Sequence, residues 1–270
     1  MTNNSQAQVF HTLHREGLLI LPNAWDAGSA RIVEHAGAKA IATSSAAVAW
    51  SHGYPDGEAI PPDVLIATIR EITRVVGIPV TADIEAGYSR DPQAAGDFVS
   101  RVIDAGAVGV NIEDGQDAPD LLRAKIEHVR RASAGSGVDL WINARVDVWL
   151  HKLAEGQAAY EETVRRARLY REAGANSIFA PGVVDETTIG NLVREVGLPL
   201  NILAWRGLPD ATRLKELGVR RLSAGAGLAK ASLGHTHELA RSFLQHGRSD
   251  PFFEGALASV GMNGLMKKDE

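Results

Sequence analysis

Two carboxylates two residues apart, Asp83 and Glu85, close the apolar start of "TADIEAGYSR" (81–90). Residues two apart on an extended strand share a face. If that face is interior, the pair needs a cation or must lose its charge. The arrangement recurs: "VGVNIEDG" (108–115) puts Asn111 and Glu113 on one parity, and "LWINARVDVW" (140–149) puts Asn143, Arg145 and Asp147 there. The intervening Ala82, Ile84, Ile112, Ala144 and Val146 are apolar. Asp114 breaks the alternation and is expected to face outward or cap a helix. Any one of these acids alone reads as a surface charge; the repetition over three runs is what points to a site. Asp83, Glu85, Glu113 and Asp147 against Arg145 leave a formal excess of three negative charges, which a divalent cation would largely offset. No thiolate and no histidine at metal-ligand spacing accompanies these runs. A hard ion is therefore implied, Mg²⁺ in the first place and Mn²⁺ as its substitute, with Asp83 coordinating directly and other carboxylates acting through water.

The elements that must position these groups are legible as alternation. Eight short apolar runs (18–25, 38–45, 78–87, 108–115, 140–149, 177–182, 200–205 and 220–227) are separated by amphipathic stretches such as "PDVLIATIREITRVVG" and "YEETVRRARLYREAGA". Turns of the type "AGA" precede several of the runs, as short helix-to-strand loops do. This pattern predicts an α/β chain folded as a (β/α)8 TIM barrel; an open doubly wound sheet is the competitor. In a barrel, chemistry belongs at the C-terminal ends of the strands, where the charged residues of strands three, four and five lie. One domain is expected over 1–270. Its C-terminal extension, 248–270, carries Phe252, Phe253, Leu257, Val260, Leu265 and Met266, to be packed either on a partner subunit or on the barrel itself.

The loop after strand two, "SSAAVAWSHGYPDGEAIPP", is long, small-residued and broken by Gly and Pro. Backbone N–H groups at Ser44, Ser45 and Ala46 could cradle a carboxylate, and Asp56 stands at its far end; the loop reads as a lid or as a plain connector. "SAGAGLAK" after strand eight has the look of a phosphate-binding turn without the spacing of a nucleotide fingerprint. His235 and His237 read as surface histidines. Trp25, Trp149 and Trp205 at strand ends line the mouth or plug the barrel. With 45% hydrophobic and 23% charged residues and a net charge of −5, the composition is that of a soluble globular protein. The absence of a basic stretch argues against nucleic acid and against an anionic membrane. No cysteine is present, so disulfides, thiolate sites and cysteine catalysis are excluded. "MTNNSQAQVF" lacks the regions of a signal peptide, and a cytoplasmic location is expected.

From "LPNAWDAGSARIVEHAGAKAIATSS" through "GYPDGE", "TADIEAGY", "VNIEDG" and "INARVD", the chain resembles the isocitrate lyase and phosphoenolpyruvate mutase superfamily, in its short carboxyphosphonoenolpyruvate phosphonomutase-like branch. The resemblance implies a Mg²⁺ enzyme that handles a small 2-oxo acid through an enolate, assembled as a homodimer or homotetramer with swapped C-terminal helices. By position it implies Asp83 as the principal metal aspartate, Glu85 and Glu113 as its outer partners, and Asp56 as the loop aspartate near the metal. Ser44, Ser45 and Ala46 fall on the segment that holds the substrate carboxylate, and Arg145 on the arginine that contacts the substrate oxygens. The superfamily's lyases carry Lys-Lys-Cys-Gly-His after the strand-four carboxylate, where this chain reads "DGQDAPDLLRAKI". The phosphonomutases carry a histidine at the end of strand six, where Ala180-Pro181 stands here. The enolate-stabilising half of the machinery remains. The expected activity is a Mg²⁺-dependent carbon–carbon lyase such as an oxaloacetate decarboxylase. Alternatives are carbon–phosphorus chemistry, retro-aldol cleavage of a 4-hydroxy-2-oxo acid with His52 or Tyr88 as base, or a non-catalytic 2-oxo acid binding protein.

Overall fold

The computed structural model describes residues 2–255 and 260–267. Its strands are β1 (Leu19–Leu21), β2 (Asn23–Ala24), β3 (Ile41–Thr43), β4 (Val80–Asp83), β5 (Gly109–Glu113), β6 (Trp141–Arg145), β7 (Ser177–Phe179), β8 (Leu200–Leu203) and β9 (Arg221–Ser223). All nine are parallel and lie in one sheet in the order β1-β9-β8-β7-β6-β5-β4-β3-β2. β1 and β2 are halves of the first predicted strand, divided at Pro22, which has no N–H to give to a ladder. One half pairs with β9 and the other with β3, so the two ends of the sheet meet within one chain segment and the barrel nearly closes. The Asn23 side chain seals the junction. It donates to the Thr43 carbonyl at 2.7 Å and accepts from the amides of Ala224 and Gly225 at 3.0 and 2.8 Å. Those two amides belong to the "SAGAGLAK" turn, so its resemblance to a phosphate loop is structural: the turn binds Asn23.

Helices alternate with the strands: α2 (Ala27–His35), α3 (Ser45–Ser51), α4 (Pro62–Val75), α5 (Pro92–Asp104), α6 (Pro119–Ser136), α7 (Gly156–Glu172), α8 (Glu186–Glu195), α9 (Ala211–Glu216) and α10 (Gly227–His246), preceded by α1 (Asn3–Arg15) and followed by α11 (Met262–Leu265). Pro62, Pro92 and Pro119 start three of them at the position where a missing N–H costs nothing. α4 buries Leu65, Ile66, Ile69 and Ile72, the spacing of a core-facing stripe. α1, which the strand pattern did not anticipate, packs Phe10 and His14 against Trp141 at the start of β6, with ring centroids 6.2 and 3.9 Å apart.

The barrel interior is polar. Trp141 Nε1 donates to Ser177 Oγ, Ser177 Oγ to Asn143 Oδ1, and Asn143 Nδ2 to Asn111 Oδ1. Arg221 on β9 donates to Asn111 on β5; these strands are not neighbours, so the side chain crosses the interior. Asn111 and Asn143, expected at the mouth with the acids, are therefore interior filling. None of the three tryptophans plugs the barrel. Trp25 lines a lateral groove, Trp149 donates to Thr163 on α7, and Trp205 is exposed.

α10, in the place of the last barrel helix, buries only Ala229 and leaves Leu228, Leu233, Phe243 and Leu244 exposed, together with His235 and His237. Beside it lies an apolar groove of about 1120 Å³ lined by Leu18, Ile20, Trp25, Leu222, Met262 and Met266. Part of the extension lies on the barrel. Arg31 of α2 donates to the carbonyls of Leu265 and Lys267, fastening α11 to the barrel, whereas Phe252 and Phe253 stay exposed. Leu257 lies outside the described residues. Among the described residues no helix is long and apolar enough to cross a membrane.

Candidate active site

β4, β5 and β6 deliver the predicted charges to one end of the barrel. Glu113 and Arg145 are register partners, as are Asp83 and Asn111. Arg145 Nη1 lies 2.5 Å from Glu113 Oε2, and its Nε donates to Asp147 Oδ1 at 2.7 Å. Burial alone would weaken the guanidinium's hold on its proton, but Glu113, Asp147 and Asp83 overcome this and raise its pKa. Burial pushes the Glu113 carboxyl well above the usual carboxylate range. Arg145 opposes that shift, while Asp147, Asp83 and Glu85 add to it. Asp147 is raised in the same way, first by burial, again against Arg145.

Asp83 ends β4, with its own amide donating to Thr43 Oγ1 at 2.8 Å. Its Oδ2 accepts from the Ser45 amide at 3.0 Å. Its Oδ1 is buried and has no partner among the described residues. The segment after β3 is not loop throughout: Ser44 is the N-cap of α3, which runs over Ser45–Ser51. The Ser45 amide is thus committed to Asp83, and the amides still lacking an intrahelical acceptor are those of Ala46 and Ala47. Of the predicted cradle at 44–46, the Ser45 amide is therefore taken and the Ala46 amide remains. Asp56 follows on the exposed loop. Partial desolvation and then Asp83 raise its carboxyl, while the Gly57 amide, Arg145 and the Ser45 hydroxyl pull it down.

Glu85 stands beyond the end of β4 in the left-handed region, at φ 50°. Glu58 and Tyr88 share that conformation at 56° and 58°, and the three are tied together. The Glu58 amide donates to Glu85 Oε2 at 2.7 Å, and the Tyr88 amide to Glu58 Oε1 at 2.6 Å. Left-handed backbone at non-glycine residues is costly and collects at functional sites. This clasp joins the loop after α3 to the loop after β4. Glu58 was not singled out in the sequence, where nothing but its place in "PDGE" marked it.

Asp114 also differs from expectation. It does face outward from the barrel, but it neither caps a helix nor meets solvent. Its Oδ2 accepts from Arg166 Nη1 at 2.9 Å and from the Tyr170 hydroxyl at 2.6 Å, both on α7, and its Oδ1 from the Asp147 amide at 2.9 Å. It therefore holds the residue that holds Arg145. Asp114→Ala strips an acceptor from three buried donors and is expected to cost about 3–5 kcal/mol, a fall in melting midpoint of roughly 10 °C by circular dichroism. A shift under about 2 °C would show the cluster to be dispensable.

The donor set fits Mg²⁺. Asp83 offers a buried, unpartnered carboxylate oxygen. Among the described residues no three acidic or histidine side chains gather tightly enough to encircle an ion. Mg²⁺, which keeps several waters and takes one or two carboxylates, needs no such ring, and the Asp83 oxygen is the donor this site offers it. Of the three predicted ligands, Asp83 is free for direct contact, while Glu85 and Glu113 are engaged by Glu58 and Arg145. Burial pushes the Glu85 carboxyl up to about 7, with Asp56, Asp83 and Glu58 adding to the rise against the Glu58 amide. Between the ordinary value of 4.5 and about 7 the folded protein keeps a proton that the unfolded chain has lost, so metal-free stability falls as pH rises through that window. A dication reverses the preference. Mn²⁺ affinity is expected to rise by up to about tenfold from pH 6 to pH 7, with proton release, and Glu85→Gln to flatten the dependence; titration calorimetry in buffers of differing ionisation enthalpy reads both.

The sequence profile of the phosphoenolpyruvate phosphomutase family matches residues 10–244. An uncharacterized protein of Mycobacterium tuberculosis (strain ATCC 25618 / H37Rv) is 36% identical over 254 residues, covering 91% of this chain and 93% of its own. An oxaloacetate decarboxylase of Pseudomonas fluorescens (strain SBW25) is 28% identical over 200 residues, covering 67% and 66%. Among solved structures, phosphonopyruvate hydrolase in complex with oxalate and Mg²⁺ superposes with a TM-score of 0.82 over 98% of this chain and 95% of that one. At 23% identity the last is a likeness of fold.

Proposed function

Since the chain belongs to the phosphoenolpyruvate phosphomutase family, we propose that it is a Mg²⁺-dependent carbon–carbon lyase that decarboxylates a small 3-carboxy-2-oxo acid such as oxaloacetate. The observation that carries this reading is the unpartnered buried oxygen of Asp83 beside an arginine clamped by two carboxylates. Support comes from the Pseudomonas fluorescens relative, an oxaloacetate decarboxylase, and from the phosphonopyruvate hydrolase structure, which binds oxalate with Mg²⁺. When bound, Mg²⁺ supplies Lewis-acid polarisation of the substrate ketone. The Ala46 and Ala47 amides take the carboxylate next to that ketone. Glu113 and Asp147 fix Arg145 through Nη1 and Nε, leaving Nη2, which neither engages, to donate to the ketone oxygen. The bond to the distal carboxylate breaks, CO₂ leaves, and the electron pair moves onto that oxygen as an enolate. Arg145 is preorganised for the charge that develops there. Asp56, whose carboxyl partial burial and then Asp83 raise, returns a proton to the enolate carbon. No base is needed to break the bond, consistent with a chain that has no cysteine.

The test is incubation with a panel of 2-oxo acids, with Mg²⁺ or with EDTA, followed by NMR. Metal-dependent pyruvate release from oxaloacetate is expected. Turnover of phosphonopyruvate alone would move the assignment to carbon–phosphorus chemistry, and tight binding without product to a binding protein.

The uncovered α10 and the adjoining groove further support a homodimer or homotetramer in which α10 of one copy packs on another. Light scattering at micromolar concentration should give two or four times the monomer mass, and Phe243→Asp with Leu244→Asp should lower it; a monomeric wild type would refute the assembly.

A further inference from the structure

Arg221 is fully buried, and no carboxylate lies within ion-pair distance of it among the described residues. Among the described residues only Nη2 has a partner, Asn111 Oδ1 at 3.0 Å; Nε and Nη1 have none. A buried guanidinium this poorly paired is costly, and Asn111 already accepts from Asn143. Burial pushes its pKa down to about 9, and the one charge acting against that is Asp83. On its other side, at the N-terminal end of the barrel, lies His14, whose pKa burial and then Arg221 itself push down to about 3, so it brings no second charge. Asn111, which Arg221 reaches across the barrel, is the register partner of Asp83, so the guanidinium lies beneath the carboxylate cluster, with uncharged His14 on its other side.

Resting on the Mg²⁺ reading above, we propose that Arg221 is a positioning residue that sets the electrostatic field of the candidate metal site from below: it holds the Asp83 cluster together when no metal is bound, weakens the site's affinity for a dication, and stabilises negative charge developing on the substrate. The two effects on the loaded enzyme have opposite signs. A positive charge beneath the ligands repels the metal, yet the same charge favours an enolate. A side chain that merely fills the barrel would produce neither effect, or a loss of both together through misfolding.

The test compares Arg221→Met with Arg221→Lys in the full chain. Mn²⁺ is the probe, with free ion counted by electron paramagnetic resonance, and oxaloacetate turnover is measured at saturating metal. Arg221→Met should tighten Mn²⁺ binding by roughly tenfold and lower kcat by a similar factor, while Arg221→Lys, which keeps the charge, restores both toward the wild type. Apolar replacement of a buried charge is commonly tolerated, and Arg221→Gln, which can keep the bond to Asn111, repeats the test should the methionine variant not fold. Unchanged Mn²⁺ affinity in folded neutral variants overturns the inference and leaves the Mg²⁺ reading standing. Failure of the wild type to bind Mn²⁺ overturns both.

Discussion

Replacing Asp83 by asparagine is expected to reduce metal-dependent turnover by roughly 10³-fold while leaving the barrel folded. The substitution keeps an acceptor for the Ser45 amide and for the shape of the β4 end, but removes the charge behind the unpartnered Oδ1. Its electrostatic consequences partly cancel. Asp56, Glu85 and Glu113 each lose a neighbour that raises their pKa, which relieves the metal-free protein. Arg145 and Arg221 each lose a favourable one. The melting midpoint without metal should therefore move by only a few degrees, roughly what 1 kcal/mol produces in a chain of this size. A rise in midpoint on adding Mg²⁺ is expected of the wild type and should be absent in the variant. A variant that still responds to Mg²⁺ with wild-type affinity would remove Asp83 from the site.

Much of this arrangement was legible in the sequence because a barrel strand has two faces and the code for each is short. Alternation of Ala82 with Asp83, Ile112 with Glu113 and Ala144 with Arg145 needs only period two, and parallel strands in register bring the polar members together. The eight runs were visible for the same reason, and the split of the first at Pro22 is local backbone chemistry. What escaped depends on distance along the chain. Asp114 meets Arg166 and Tyr170 across 52 and 56 residues, and no periodicity links the end of a strand to the buried face of a later helix. Glu58 reaches Glu85 and Tyr88 across two loops, where backbone conformation rather than pattern decides the contact. Arg221 sits in "RRLSAGAG" beside Arg220, and nothing in the run says which arginine bonds the Gly17 carbonyl and which crosses the barrel. α3 was hidden for a third reason: its short run of Ala, Val and Trp follows a strand directly and carries no side-chain cap at Ser44.

The other large effect should come from Arg145, where charge and geometry can be separated. Arg145→Met leaves Glu113 and Asp147 facing each other without the cation that now lies within 2.5 and 2.7 Å of them. Removing one partner of a buried ion pair costs about 3–5 kcal/mol, because the survivors stay desolvated. Turnover should fall by roughly 10³-fold with the loss of the donor to the developing enolate. The sign of the pH dependence distinguishes this from a simple packing defect. Both acids already have raised pKa values for which burial is the leading cause and against which Arg145 acts. Without it they rise further, so the folded variant holds protons that the unfolded chain gives up. Its stability is then closest to wild type in acid and falls away as pH increases through the shifted values. Denaturant midpoints at about pH 5 and about pH 8 should show the gap to wild type widening with pH. Arg145→Lys keeps the charge but cannot span both carboxylates with a rigid fork, so it should recover more of the stability than of the turnover. A lysine variant with wild-type turnover would show that the clamp geometry is irrelevant to catalysis, and a pH-independent stability gap in the methionine variant would show that Glu113 and Asp147 are not coupled to Arg145.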